Sequence, residues 1–91
     1  MKNMLQIQEK IKQFILKTSY ASDDQVNYET LIFAQGIMDS MGFMSLIDFL
    51  EESYAIRAND SELIETNFES INAIADFVTR KSSSLVQMNE K

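Results

Sequence analysis

The chain has 91 residues and a formal net charge of −6, with no cysteine, histidine, proline or tryptophan and only two glycines. Lacking Cys and His, it has no thiol nucleophile, disulfide framework, imidazole base or serine–histidine triad of its own, and its acidity argues against nucleic acid or an anionic membrane surface as partner. Its 45% of apolar residues suffices for one small core, and the missing proline favours a mostly helical chain.

Near the start, Met4, Ile7, Ile11 and Phe14 recur at spacings of three and four, with Ile15 beside them and lysines and glutamines opposite. This period predicts an amphipathic helix over about residues 3–17. The same segment is basic, with Lys2, Lys10, Lys12 and Lys17 against Glu9. It lacks the apolar centre of a signal peptide, and no apolar run approaches the roughly 18 residues of a membrane span, so a cytoplasmic protein is expected.

Residues 18–38 lack a clean period. Ser19, Ser22, Asp23, Asp24 and Asn27 favour turns and caps. Val26, Tyr28, Leu31, Ile32 and Phe33 supply apolar anchors. The expectation is a long ordered loop pinned to the core by these side chains, and loops of that length are usually functional.

The second helix is expected from Asp39 or Ser40 to about Ser53. Asp39 is a good N-cap, able to accept from the amide of Met41 or Gly42. Met38 before it and Phe43 within the first turn suit a hydrophobic staple. A short helix or turn is expected near Ser61–Glu65. The last helix should cover about Ser70–Arg80, with Ile71, Ile74, Ala75 and Val78 inward and Arg80 and Lys81 at its negative end. The fold class is therefore all-α: a bundle of three main helices plus one short helix, with a long loop between the first two. Residues 1–81 form one domain, and 82–91 a flexible tail.

The second helix carries more apolar residues than one wall needs. At 100° per residue, Phe43, Leu46, Ile47, Leu50 and Tyr54 share one face. Met41 and Met44 fall on another arc, among Asp48, Glu51 and Glu52. Either these methionines pack under the loop or they form a docking surface. Methionine adapts to varied partners, and an apolar centre with a charged rim is what an interface needs. Residues 39–76 hold nine acids against one base, Arg57, so a docking partner would be basic. Ser40 stands at the first helical position, where helix amides and dipole favour an anion such as a phosphate ester.

The run Gly36-Ile37-Met38-Asp39-Ser40-Met41, followed by Leu46-Ile47 and Phe49-Leu50-Glu51-Glu52-Ser53-Tyr54, resembles the Asp-Ser-Leu attachment motif and following helix of the acyl carrier protein family. That family includes aminoacyl, peptidyl and D-alanyl carriers. Asn67-Phe68-Glu69-Ser70-Ile71 and Ile74-Ala75-Asp76-Phe77-Val78 are similar to its last helix and lead-in. The resemblance covers about half of the chain closely and the rest in layout. It implies a 4′-phosphopantetheine arm, taken from coenzyme A by a phosphopantetheinyl transferase and attached to Ser40, with Asp39 presenting the serine. Further partners would be an acyl- or aminoacyl-activating enzyme and a downstream transferase or synthase. Met41 stands at the motif's leucine, and Gly42 and Ser45 stand where fatty-acid-synthesis carriers have acids. The run is closer to stand-alone carriers of specialised biosynthesis.

Three functions compete. A carrier keeps its chemistry on the arm and is not itself an enzyme. An enzyme fares badly, because Ser40 has no histidine base and the carboxylates have no histidine for a metal site. Neither Asp23-Asp24 nor Asn59-Asp60 has the downstream spacing of a calcium loop. An interaction module that is never modified is the third. Nothing in the sequence demands more than a monomer.

Overall fold

The computed structural model describes residues 3–89, with side chains as far as Ser82. Among them there is no strand, and the chain folds as a small helical bundle. Helix α1 (Met4–Thr18) starts at a reciprocal cap, in which Asn3 Oδ1 accepts from the Gln6 amide at 2.8 Å and the Gln6 side chain accepts from the Asn3 amide. It buries Ile7, Ile11 and Ile15. Met4, expected inward, is 42% exposed, because the first turn lies at the rim of the core. Phe14 is half-buried and stacks on Phe49 of helix α2 (Ser40–Tyr54), with centroids 4.3 Å apart. Lys2 lies outside the described residues.

The segment between α1 and α2 is an ordered loop with one 3-10 turn at Asp23–Gln25. Val26, Ile32 and Met38 are its buried anchors, with Tyr28 and Phe33 half-buried. Leu31, expected as an anchor, is 45% exposed, since Ile32 beside it takes the inward position. The loop is also latched through its backbone. The Ile32 amide donates to the Glu69 carbonyl, and the Asn72 amide to the Tyr28 carbonyl, both at 2.9 Å. The Ile32 carbonyl accepts from the amides of both Ile37 and Met38. The Tyr28 hydroxyl donates to Glu9 of α1. A reversal through Gly36, at φ +75°, returns the chain to the start of α2.

After α2 ends at a left-handed Ala55, the short helix expected near Ser61–Glu65 resolves into two pieces. These are a 3-10 turn at Asp60–Glu62 and helix α3 (Glu65–Phe68). Helix α4 (Ile71–Asn89) buries Ile71, Ile74, Ala75, Phe77 and Val78, and the Ser70 hydroxyl before it accepts from the Ala73 amide at 3.1 Å. It does not stop at Arg80: no glycine or proline follows to end it. Arg80 and Lys81 therefore lie within the helix and pair with side chains, Arg80 with Asp76 and Lys81 with Glu62, each at 3.0 Å. Of the tail expected over 82–91, residues 82–89 continue α4 as far as Asn89, and residues 90–91 lie outside the described residues.

Helix α1 packs on α4 and α2, α2 also on α4, and α3 lies on α4. A line of rings ties the layers together. Phe33 meets Phe43 edge to face at 5.6 Å, Phe43 meets Phe68 at 5.3 Å, and Phe68 meets Phe77 at 4.9 Å. Among the described residues, no helix is long and apolar enough to cross a membrane.

The clamp on the 3-10 turn depends on pH. The Asn59 amide, and then Lys81, hold the Glu62 carboxyl below its ordinary value of 4.5. A carboxyl depressed by folding stabilises the fold above its unfolded value, and the gain fades as pH falls through the folded one. Glu62→Gln should therefore lower the urea midpoint at about pH 6, with the gap to wild type closing well below pH 4.5. An equal gap at both ends of that range would contradict the clamp.

Candidate functional site at the start of α2

Helix α2 begins where the loop delivers Met38 into the core. Met38 is 6% exposed and joins the core that Phe43 packs against, which places the expected staple residues together. Asp39 follows in an extended conformation, and its Oδ1 accepts from the Gly42 amide at 2.9 Å. The Asp39 carbonyl accepts from the Phe43 amide, also at 2.9 Å, and this is the first bond of the helical ladder. The amides of Ser40 and Met41 precede it. Ser40 is exposed at the first helical position, so its hydroxyl stands in solvent at the positive end of a 15-residue helix.

Gly42 reads from sequence only as a weak point in the helix. The packing gives it a role. A Cβ there would lie 2.9 Å from Met38 Cγ and 3.4 Å from Asp39 Oδ1. The missing side chain lets Met38 tuck beneath the cap. Alanine gains up to about 1 kcal/mol in helix propensity, but overpacking costs about 1–3 kcal/mol. Gly42→Ala should therefore lower the melting temperature by a few degrees, roughly 1 kcal/mol net. A rise on thermal unfolding would show that Met38 has room to move.

Neither methionine packs under the loop: Met41 is 81% and Met44 55% exposed. Asp48 and Glu52 are exposed on the same helix, and Ser45 with them. Glu51 differs. It is half-buried, and its Oε2 accepts from the Ala58 amide at 3.0 Å, which ties down the chain beyond α2. The exposed surface is thus Met41 and Met44 with Asp48 and Glu52, and Glu51 serves the fold.

Ser40 also opens onto a cleft of about 380 Å³. Phe33, Phe43 and Leu63 supply its apolar walls, and Asp39 and Glu65 its carboxylates. Phe33, Leu63 and Glu65 come from the loop, from the segment before α3 and from α3 itself, so no local period marks them as neighbours of Ser40. Ile64, between two of the lining residues, is 51% exposed. A second cleft of about 410 Å³ lies between the end of α1 and the loop, with Tyr20, Gln25, Gln35 and Asp39 among its lining residues. Among the described residues, no three acidic side chains gather as a metal site.

An exposed hydroxyl at a capped helix start can carry a phosphate ester: the helix end favours the charge, and the hydroxyl is accessible to a modifying enzyme. No protein-family model matches this chain, and no curated protein matches it either.

Proposed function

We propose that Ser40 is the attachment point of a 4′-phosphopantetheine arm. The chain is then a carrier, not an enzyme, and presents an acyl or aminoacyl group to partner enzymes as a thioester. The observation that carries this reading is the exposed Ser40 hydroxyl at the Asp39-capped start of α2, next to exposed Met41 and Met44. The likeness of the Gly36–Met41 run to the attachment motif of acyl carrier proteins supports it.

The site fits a phosphodiester. The Ser40 and Met41 amides and the α2 dipole favour its negative charge. In the attachment step the Ser40 oxygen forms a bond to the pantetheine-bearing phosphorus of coenzyme A. The adenosine bisphosphate leaves, and the hydroxyl proton passes to the transferase. Once bound, the arm supplies the thiol that the chain does not encode. Asp39 holds Ser40 in register, while Met41 and Met44 give a partner an apolar foothold. The Asp48 and Glu52 carboxylates steer a partner with a basic rim.

The test is the intact mass after incubation with coenzyme A, magnesium and a promiscuous phosphopantetheinyl transferase. The expected result is a gain of one phosphopantetheine. No gain with any of several transferases would favour an unmodified interaction module.

A further inference from the structure

Three methionines surround Ser40 in the sequence, at positions 38, 41 and 44. The fold treats them differently. Met38 is 6% exposed and lies beneath the cap, with its side chain against Gly42. Met41 and Met44 lie on the outer surface of α2, 81% and 55% exposed. Residues three apart on a helix are neighbours, so the two thioethers form one patch. Leucine would present a comparable apolar surface at either position. What a thioether adds is a sulfur that accepts an oxygen atom. The product, a sulfoxide, is polar, and methionine sulfoxide reductases reverse it.

The chain offers an oxidant little else. It has no cysteine, so no encoded thiolate reacts first. Met4 is 42% exposed but belongs to α1. Met38 is shielded, because its sulfur reaches solvent only when the start of α2 opens.

We propose that Met41 and Met44 form a reversible oxidation site that closes the docking surface beside Ser40. The oxidant is hydrogen peroxide. The thioether sulfur forms a bond to one peroxide oxygen, the O–O bond breaks, and the other oxygen leaves with both protons as water. Sulfur loses two electrons and peroxide gains them. A partner that packs an apolar pocket over the sulfoxide leaves its oxygen without a donor, which weakens docking. The closing of the surface rests on the carrier reading of Ser40, whereas the pattern of oxidation does not.

The test treats the full chain, before arm attachment, with dilute hydrogen peroxide and follows each methionine by fragment masses. Met41 and Met44 should gain oxygen at least about tenfold faster than Met38, with the circular dichroism spectrum unchanged. The KM of the phosphopantetheinyl transferase for the oxidised chain should rise about tenfold. It should return after treatment with methionine sulfoxide reductases and a thiol reductant. The double variant Met41→Leu, Met44→Leu, in which Met4 still oxidises, should show one KM before and after peroxide. Equal oxidation rates for Met38, Met41 and Met44, or an unchanged KM for oxidised wild type, overturns the proposal. A peroxide-dependent KM in the double variant assigns the effect to another methionine and overturns it too. If the untreated chain takes up no arm, the carrier reading and the closing of its surface fall together, and the fragment masses still decide whether Met41 and Met44 are an oxidation site.

Discussion

Phe68→Ala is expected to lower the unfolding free energy by about 3–5 kcal/mol, read from urea titrations followed by circular dichroism. Small domains have only about 5–15 kcal/mol in total, so the variant should be close to unfolded at 37 °C. Phe68 is fully buried between Phe43 of α2 and Phe77 of α4. Its helix, α3, has four residues and cannot hold its conformation through its own backbone bonds. The ring is what fixes α3 to the bundle, and α3 in turn brings Glu65 to the cleft beside Ser40. Loss of the ring therefore removes contacts and releases a segment at once. Phe14→Ala is the useful comparison. Phe14 is half-buried with one stacked partner, Phe49, and should cost less. A Phe68→Ala cost under about 1.5 kcal/mol would show that the site collapses around the lost ring.

Met44→Lys should leave the fold unchanged and weaken partner enzymes. Met44 is 55% exposed, so its replacement removes little core packing, and stability should move by no more than about 0.5 kcal/mol. The new ammonium would stand near Asp48 on the same helix, reducing the attraction for a basic partner and breaking the apolar centre. The expected effect on the phosphopantetheinyl transferase is a rise in KM of about tenfold, equivalent to about 1.4 kcal/mol, with kcat little changed. Loss of helical signal in the variant would place Met44 in the core. An unchanged KM would place docking elsewhere, with exposed Ile64 beside the cleft as the next residue to test.

Most helices follow from residues that act locally. Ile7, Ile11 and Ile15 fall on one face of α1, and Leu46, Ile47 and Leu50 on one face of α2, because the 3.6-residue period is strong in both. The Asp39 cap is equally local, since donor and acceptor lie three residues apart. The exposure of Met41 and Met44 follows from the same arithmetic: they sit off the face that the bundle covers.

What escapes the sequence depends on contacts between distant segments. Leu31 and Ile32 are equivalent in hydrophobicity, and the backbone bond from Ile32 to Glu69 decides which one turns inward. Glu51 has the same helical spacing as the exposed acids, but the returning chain presents the Ala58 amide to it. Gly42 reads as a defect until Met38 is seen beneath it. The cleft wall at Leu63 depends on where an irregular segment passes α2, and no periodicity reports that. The end of α4 is a different case. The serines that follow Lys81 do not stop it, because serine is only a modest helix breaker and nothing in the run forbids continuation to Asn89.

The charge pattern has become more specific in the same way. Nine acids over residues 39–76 indicate only a basic partner. In the structure Glu62 is spent on Lys81, Asp76 on Arg80 and Glu51 on Ala58, while Asp48 and Glu52 remain exposed on the helix that carries Met41 and Met44. On the helix that Ser40 begins, the acidic surface available to a partner is Asp48 and Glu52, fewer residues than the count suggests, while Asp60 and Glu65 are exposed outside that helix.

Under the proposed function, one serine among many carries the arm. Ser40→Ala tests it with little risk to the fold, because the cap belongs to Asp39 and the Ser40 side chain is exposed. The measurement is the intact mass of wild type and variant, treated side by side with coenzyme A, magnesium and the transferase. The expected result is a gain of one phosphopantetheine in the wild type and none in Ser40→Ala, with matching circular dichroism spectra. An equal gain in both chains would contradict it.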